Sequence, residues 1–220
     1  MTVLQRTLLS LLLVSSAAIP ASATTLYQGT LPDDSGVFLQ PFTLSAAAEV
    51  TIQSFGYAGG TAFTSPLPTT IAAGGFAPDA ILFDGTGSEI ASDNGGHCGV
   101  TNTDPVTGNC DDPYIQQTLG PGDYTLALAV WDNVPNDGLL ADGFRQDGNP
   151  GFTCAEFGAS GNFCDVTSAT GAVRTGNYAI TISTQNIGAA SVPEAPTFLM
   201  LMIACASIVM LARRNRQSIA

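Results

Sequence analysis

Apolar and polar positions alternate with a period of two through the middle of this chain. In residues 124–130, Tyr124, Leu126, Leu128 and Val130 fall on one face with small or polar residues between them. Residues 49–53 and 177–183 alternate in the same way. A period of two sends successive side chains to opposite faces of an extended chain, so each run reads as a half-buried β-strand. Shorter strand-like runs cover 25–29, 37–44, 80–84, 89–92 and 114–119. Between runs lie Asp84-Gly85, Pro121-Gly122, Asp137-Gly138, Asp142-Gly143 and Asp147-Gly148. These are turn formers, because Gly accepts positive φ and Asp hydrogen-bonds its own backbone. No ten-residue stretch here carries an apolar stripe of period 3.6. About eight short strands predict an all-β fold, an antiparallel jelly-roll-like β-sandwich. Two long connections, 61–78 and 133–173, break the rhythm.

The two ends of the chain have a different pattern. Residues 1–23 hold one positive charge (Arg6), an apolar core at 8–14 and the small-residue ending Ala21-Ser22-Ala23. That is the layout of a secretory signal peptide cleaved after Ala23. Residues 191–216 read Ser191-Val192-Pro193-Glu194-Ala195-Pro196, then an apolar run, then Arg213-Arg214-Asn215-Arg216. Two prolines stop a helix from propagating backwards. Residues 198–212 contain no charge, Gly or Pro, so they suit a helix in lipid, and Thr197 extends the predicted helix to 197–212. The run is shorter than the roughly 20 residues a hydrocarbon core needs, which calls for local thinning or snorkelling. Arg213, Arg214 and Arg216 belong on the cytoplasmic side, with everything before Pro193 outside.

The order Val192-Pro193-Glu194, short apolar helix, arginine cluster resembles a PEP-CTERM sorting signal. Where that family has Pro-Glu-Pro, this chain has Pro193-Glu194-Ala195 with Pro196 one place later. The resemblance implies processing by an exosortase-type membrane enzyme. It also implies an inner-membrane, single-pass stage before release to the cell surface or an exopolysaccharide matrix. An ordinary single-pass anchor is the plainer alternative.

Between the ends, residues 24–190 make one domain's worth of chain. Arg145 and Arg174 are its basic residues, against seventeen acids, a net charge of −15; the whole chain has no lysine. Such a domain repels nucleic acids and anionic lipid, because it cannot replace their counterions, and it attracts cations. Four cysteines, Cys98, Cys110, Cys154 and Cys164, lie in it, and their spacing favours the local pairs 98–110 and 154–164 among three possible connectivities. Neither spacing is C-x-x-C, and an oxidising compartment favours disulfides over a thiolate metal site.

A second resemblance rests on residues 80–94, an apolar strand, Asp84-Gly85 turn, apolar strand and Asp/Asn loop, followed by Leu119-Gly120-Pro121-Gly122-Asp123-Tyr124. This layout is similar to bacterial β-sandwiches of the pre-peptidase C-terminal type, some of which carry calcium. Calcium takes six to eight oxygen ligands and needs neither His nor Cys. Asp93-Asn94, Asp132-Asn133 and Asp137 are the candidate ligands, together with Asp104, Asp111 and Asp112. If 82–84 and 127–131 lie on neighbouring strands, the loops of Asp93 and Asp132 meet at one end of the sandwich. For sugar binding, Trp131, Tyr57 and Tyr114 are the available aromatics, with Trp131 at a strand end beside Asp132 the first choice. The single histidine, His97, adjoins Cys98 in a Gly-rich loop, and no G-x-S-x-G is present. The expectation is therefore a non-enzymatic surface or matrix protein, with a calcium-dependent carbohydrate-binding module as the alternative and an exported hydrolase behind both.

Overall fold

The computed structural model describes residues 22–187 apart from residue 65. Most of the proposed leader, the sorting motif at 192–196, the apolar run at 197–212 and the arginines after it lie outside the described residues. Among those described, no helix is long and apolar enough to cross a membrane.

Ten strands are found there: β1 (Ser22–Thr30), β2 (Val37–Leu44), β3 (Ala48–Ser54), β4 (Gly60–Ala62), β5 (Thr69–Ile71), β6 (Pro78–Asp84), β7 (Glu89–Asp93), β8 (Tyr114–Leu119), β9 (Gly122–Val130) and β10 (Asn177–Asn186). They form two four-stranded sheets, β1-β10-β3-β8 (sheet A) and β2-β9-β6-β7 (sheet B), and the small hairpin β4-β5. Every strand pairing is antiparallel. The fold is an all-β sandwich. β1 starts at Ser22, so Ser22 and Ala23, assigned to the leader from sequence, pair with Gln185 and Thr184 of β10.

The core lies between the sheets. Val50, Ile52, Ile115, Ile180 and Ile182 from sheet A meet Ala80, Leu82, Leu126, Leu128 and Val130 from sheet B. Val50, Ile52, Leu126, Leu128, Val130, Ile180 and Ile182 among them are inward positions that the alternation predicted. The polar-out half of the prediction needs correction for sheet B, whose outer face is also buried. Ile81, Phe83, Ala127 and Ala129 form a second apolar layer under Phe144, with Val37 and Leu140 against it. The cover comes from the long connection after β9, which runs down the sheet to bond Leu140 N–H to the Gly87 carbonyl. It then returns, pairing Arg145 N–H with the Val134 carbonyl. Strand β6 is consequently buried along 78–83, as expected of a strand covered on both faces. Pro41 sits in β2 at the edge of its sheet, where a missing N–H breaks no ladder.

The connection read from sequence as a loop at 61–78 contains β5 and overlaps β4. Their hairpin lies on the outer face of sheet A, where Phe55, Ala62, Ile71 and Ala179 cluster with Leu26. Strands of three residues carry too little periodicity to be seen in the sequence; packing defines them.

Register sorts the loops into two poles. Ser22 lies opposite Gln185, and Ala48 opposite Asn186 and Leu119, so the chain enters and leaves the sandwich at one end. Thr30, Ser54, Pro78, Asp93, Tyr114 and Val130 lie at the other. The connections 31–36, 55–77, 94–113 and 131–176 all spring from this second end and form a crown of loops.

Candidate functional site

Buried carboxylates hold the crown together. Asp112 accepts the Ser54 hydroxyl (2.7 Å) and the backbone N–H groups of Tyr57 (3.1 Å) and Ala58 (2.8 Å). Burial pushes its carboxyl up even against those donors. Asp34 accepts N–H groups of Gly151 and Thr153 and the Thr153 hydroxyl, tying the loop after β1 to the one-turn helix α1 (Phe152–Ala155). At the centre Arg174, 8% exposed, donates two bonds to Asp104 (3.1 and 3.0 Å) and two to Asp165 (3.0 and 2.9 Å). Its guanidinium carbon stands 4.1 Å from the centre of the Tyr57 ring, a cation–π contact. Burial pushes Asp104 up, but the Arg174 and Thr107 donors more than offset it and hold the carboxyl at about 2. The Tyr57 hydroxyl bonds Asp165 and Thr107, and burial drives its pKa up to about 12.

The two local disulfides, Cys98–Cys110 and Cys154–Cys164, are both formed, each closing a crown loop.

The loops of Asp93 and Asp132 do meet at one end of the sandwich, as the proposed pairing of β6 with β9 required. Their oxygens are largely committed to protein partners. Asp93 takes His97 Nε2 on one oxygen (2.7 Å) and the N–H groups of Gly95 and Tyr114 on the other, so it joins sheet B to sheet A. Asp132 pairs with Arg145. Asn133 is fully buried, donating to the Ser35 carbonyl and accepting from Gln146 N–H, which makes it a loop pin. Asp137 is exposed at positive φ in a 3₁₀ turn and joins none of these groups. Trp131 is half-buried against Tyr57, Ala58 and Ala77, Tyr57 is fully buried, and Tyr114 meets His97 edge-on. His97 has Asp93 as its side-chain partner, and the neighbouring Cys98 is oxidised.

Sequence reasoning missed Asp79. It is 5% exposed; one oxygen accepts Asp132 N–H (3.1 Å) and the other, Oδ1, is buried without a hydrogen-bond partner. Burial, reinforced by the charges of Asp132 and Asp93, raises its pKa to about 7. Asp79, Ser92, Asp93 and Asn94 line a cleft of about 250 Å³ beside Ile81 and Val134. Asp79 Oδ1 and Asn94 are the oxygens there that a hard cation would use. Among the described residues, no three His, Cys, Asp or Glu side chains cluster as a metal site. The signal was a charged residue at the buried start of an apolar strand, Pro78-Asp79-Ala80-Ile81, but its burial depends on the covering connection.

A second depression, about 510 Å³, runs along the outer face of sheet A. Thr24, Gln53, Thr181 and Ser183 from β1, β3 and β10 make its floor, and Phe55 with Gly60, Thr61 and Phe63 of the β4 hairpin make one wall. Val100 and Asn102 from the Cys98–Cys110 loop also line it. Asn102 holds the loop to the hairpin by donating to the Gly59 carbonyl (2.5 Å).

No family model matches the chain, and no curated protein does. Among solved structures, the pre-peptidase C-terminal domain of collagenase from Bacillus anthracis is a structural neighbour. It is 11% identical, the match covers 74% of this chain and 89% of that one, and the TM-score is 0.34.

Proposed function

We propose that this is an exported, non-enzymatic cell-surface or matrix protein, sorted through its PEP-CTERM-like tail by an exosortase-type enzyme and associated with exopolysaccharide. The polarity of the sandwich is the observation that carries this reading. The chain enters at Ser22 and leaves after Asn186 at one pole, with the loop crown at the other. The crown loops therefore lie at the pole opposite the strand ends through which the chain enters and leaves. The two disulfides agree with an oxidising, extracellular setting. The strand orders, which alternate consecutive strands β1, β2 and β3 between sheets, support the jelly-roll form of the fold.

The test is to replace Pro193 and Glu194 together by Ala in the full chain expressed in its host. The expected result is full-length protein retained in the membrane fraction and lost from the surface. Unchanged processing and surface display overturns the sorting assignment. A calcium-dependent version of the glycan reading draws on the unpartnered Asp79 Oδ1 in its cleft. It requires calcium to raise the Tm of chelator-treated wild-type protein and to leave Asp79→Asn unmoved. A wild-type Tm indifferent to calcium removes it.

A further inference from the structure

We infer that the groove on the outer face of sheet A binds a neutral, polyhydroxylated chain: an uncharged glycan laid between the β4 hairpin, the Cys98–Cys110 loop and the strands below. This rests on the exopolysaccharide association proposed above and names the surface and the polymer class. The first argument is charge. The domain carries −15, yet the described residues that line the groove offer hydroxyl, amide, apolar and backbone groups with no Asp, Glu, Arg or His among them. An anionic polymer meets the repulsion of the whole domain with no local cation to offset it. A cationic ligand finds carboxylates in the Asp79 cleft and none in this groove. A neutral chain suffers neither effect.

The second argument is the chemistry of floor and wall. Thr24 and Ser183 hydrogen-bond to each other at 2.8 Å, and each hydroxyl keeps further capacity for a ligand. Thr181 donates to the Gln53 backbone carbonyl, and among the described residues no hydrogen bond engages the Gln53 side-chain amide, which faces the groove. Asn102 uses its Nδ2 on Gly59 and retains Oδ1 as an acceptor. Beside these polar groups stand two apolar side chains, Phe63 (77% exposed) and Val100 (57% exposed). A sugar ring has hydroxyls on its rim and C–H groups on its face, and this combination matches both, with the Phe63 ring as the stacking surface. The volume falls in the range of ligand-binding clefts, roughly 300–1,000 Å³. No residue lines both this groove and the Asp79 cleft, so binding here is indifferent to calcium.

The experiment uses the full chain in mild detergent, titrated with soluble neutral hexose polymers and, separately, with a polyuronate of similar length, in calcium and in chelator. Saturable binding of at least one neutral polymer, unaffected by chelator, is expected, with at least a tenfold loss of affinity in Phe63→Ala. Because Phe63 is exposed, its Tm should match wild type, which separates lost binding from lost folding. Absence of neutral-polymer binding overturns the assignment, as does wild-type affinity in Phe63→Ala or preference for the polyuronate. Binding lost on chelation transfers the site to the Asp79 cleft. Normal tail-dependent sorting without glycan binding would leave the sorting proposal standing and remove this one alone.

Discussion

Aspartates that a reader of the sequence assigns to solvent are, in the crown, the residues that decide its structure. Asp34, Asp104, Asp112 and Asp165 are each no more than 1% exposed, and each collects backbone or hydroxyl donors that would otherwise be buried without partners. A carboxylate does this well because it accepts several bonds at once and strengthens each by its charge. Arg174 provides the counter-charge to Asp104 and Asp165. Removing one partner of a buried ion pair leaves uncompensated charge, which typically costs about 3–5 kcal/mol. Arg174→Met is therefore expected to lose stability on that scale in urea denaturation, and Arg174→Lys somewhat less, having no fork to bond both carboxylates. Near-wild-type stability in Arg174→Met would show that the two carboxylates do not depend on the guanidinium.

Among the elements, the sandwich strands and the crown loops are stabilised by different means. Strands β3, β6, β9 and β10 hold the apolar layers and each other's ladders. The crown segments have, apart from the short β4-β5 hairpin, helical turns and isolated bridges instead, so cross-links carry more of their order. Cys98–Cys110 closes a separation of 12 residues and Cys154–Cys164 one of 10. Loops of that size lose roughly 3 kcal/mol of chain-entropy stabilisation when opened. Replacing Cys98 and Cys110 together by Ser should lower the urea midpoint accordingly. It should also loosen the Val100–Asn102 wall of the groove, seen as faster amide exchange there than in β9. If exchange at 98–110 stays as slow as in wild type, the Asp104 and Asp112 bonds alone hold the loop.

The whole molecule is strongly acidic, and its response to acid follows from which carboxylates are bound. Exposed acids repel one another, so protonating them relieves strain. Asp104 acts in the opposite direction. Its folded pKa of about 2 lies below the ordinary carboxylate value, so its contribution is complete above about pH 4 and is lost as pH falls from 4 towards 2. A depression of this size corresponds to about 2 kcal/mol. The stability–pH curve of the wild type should fall through that window, and Asp104→Asn should be less stable at neutral pH with a shallower acid limb. Equal slopes in the two proteins would contradict the assignment.

Much of this was legible in the chain. Strands β2 and β8 match the bounds expected from alternation, β3, β6, β7, β9 and β10 overlap theirs, and the disulfide pairs are the ones that spacing favoured among three connectivities. Those features are local: periodicity and loop length are written within a few neighbouring residues. The hairpin β4-β5, the buried outer face of sheet B, the Asp104–Arg174–Asp165 cluster and the unpartnered Asp79 were not legible. Each depends on which distant segment folds over which face, as Arg174 lies 70 residues from Asp104. An aspartate in a Gly-rich loop looks the same in sequence whether it faces water or a buried guanidinium. Alternation determined the strands of the sandwich, and cysteine spacing favoured its staples without choosing among three connectivities; tertiary packing alone decided which carboxylates became anchors, because burial belongs to the assembled layers and not to any one segment.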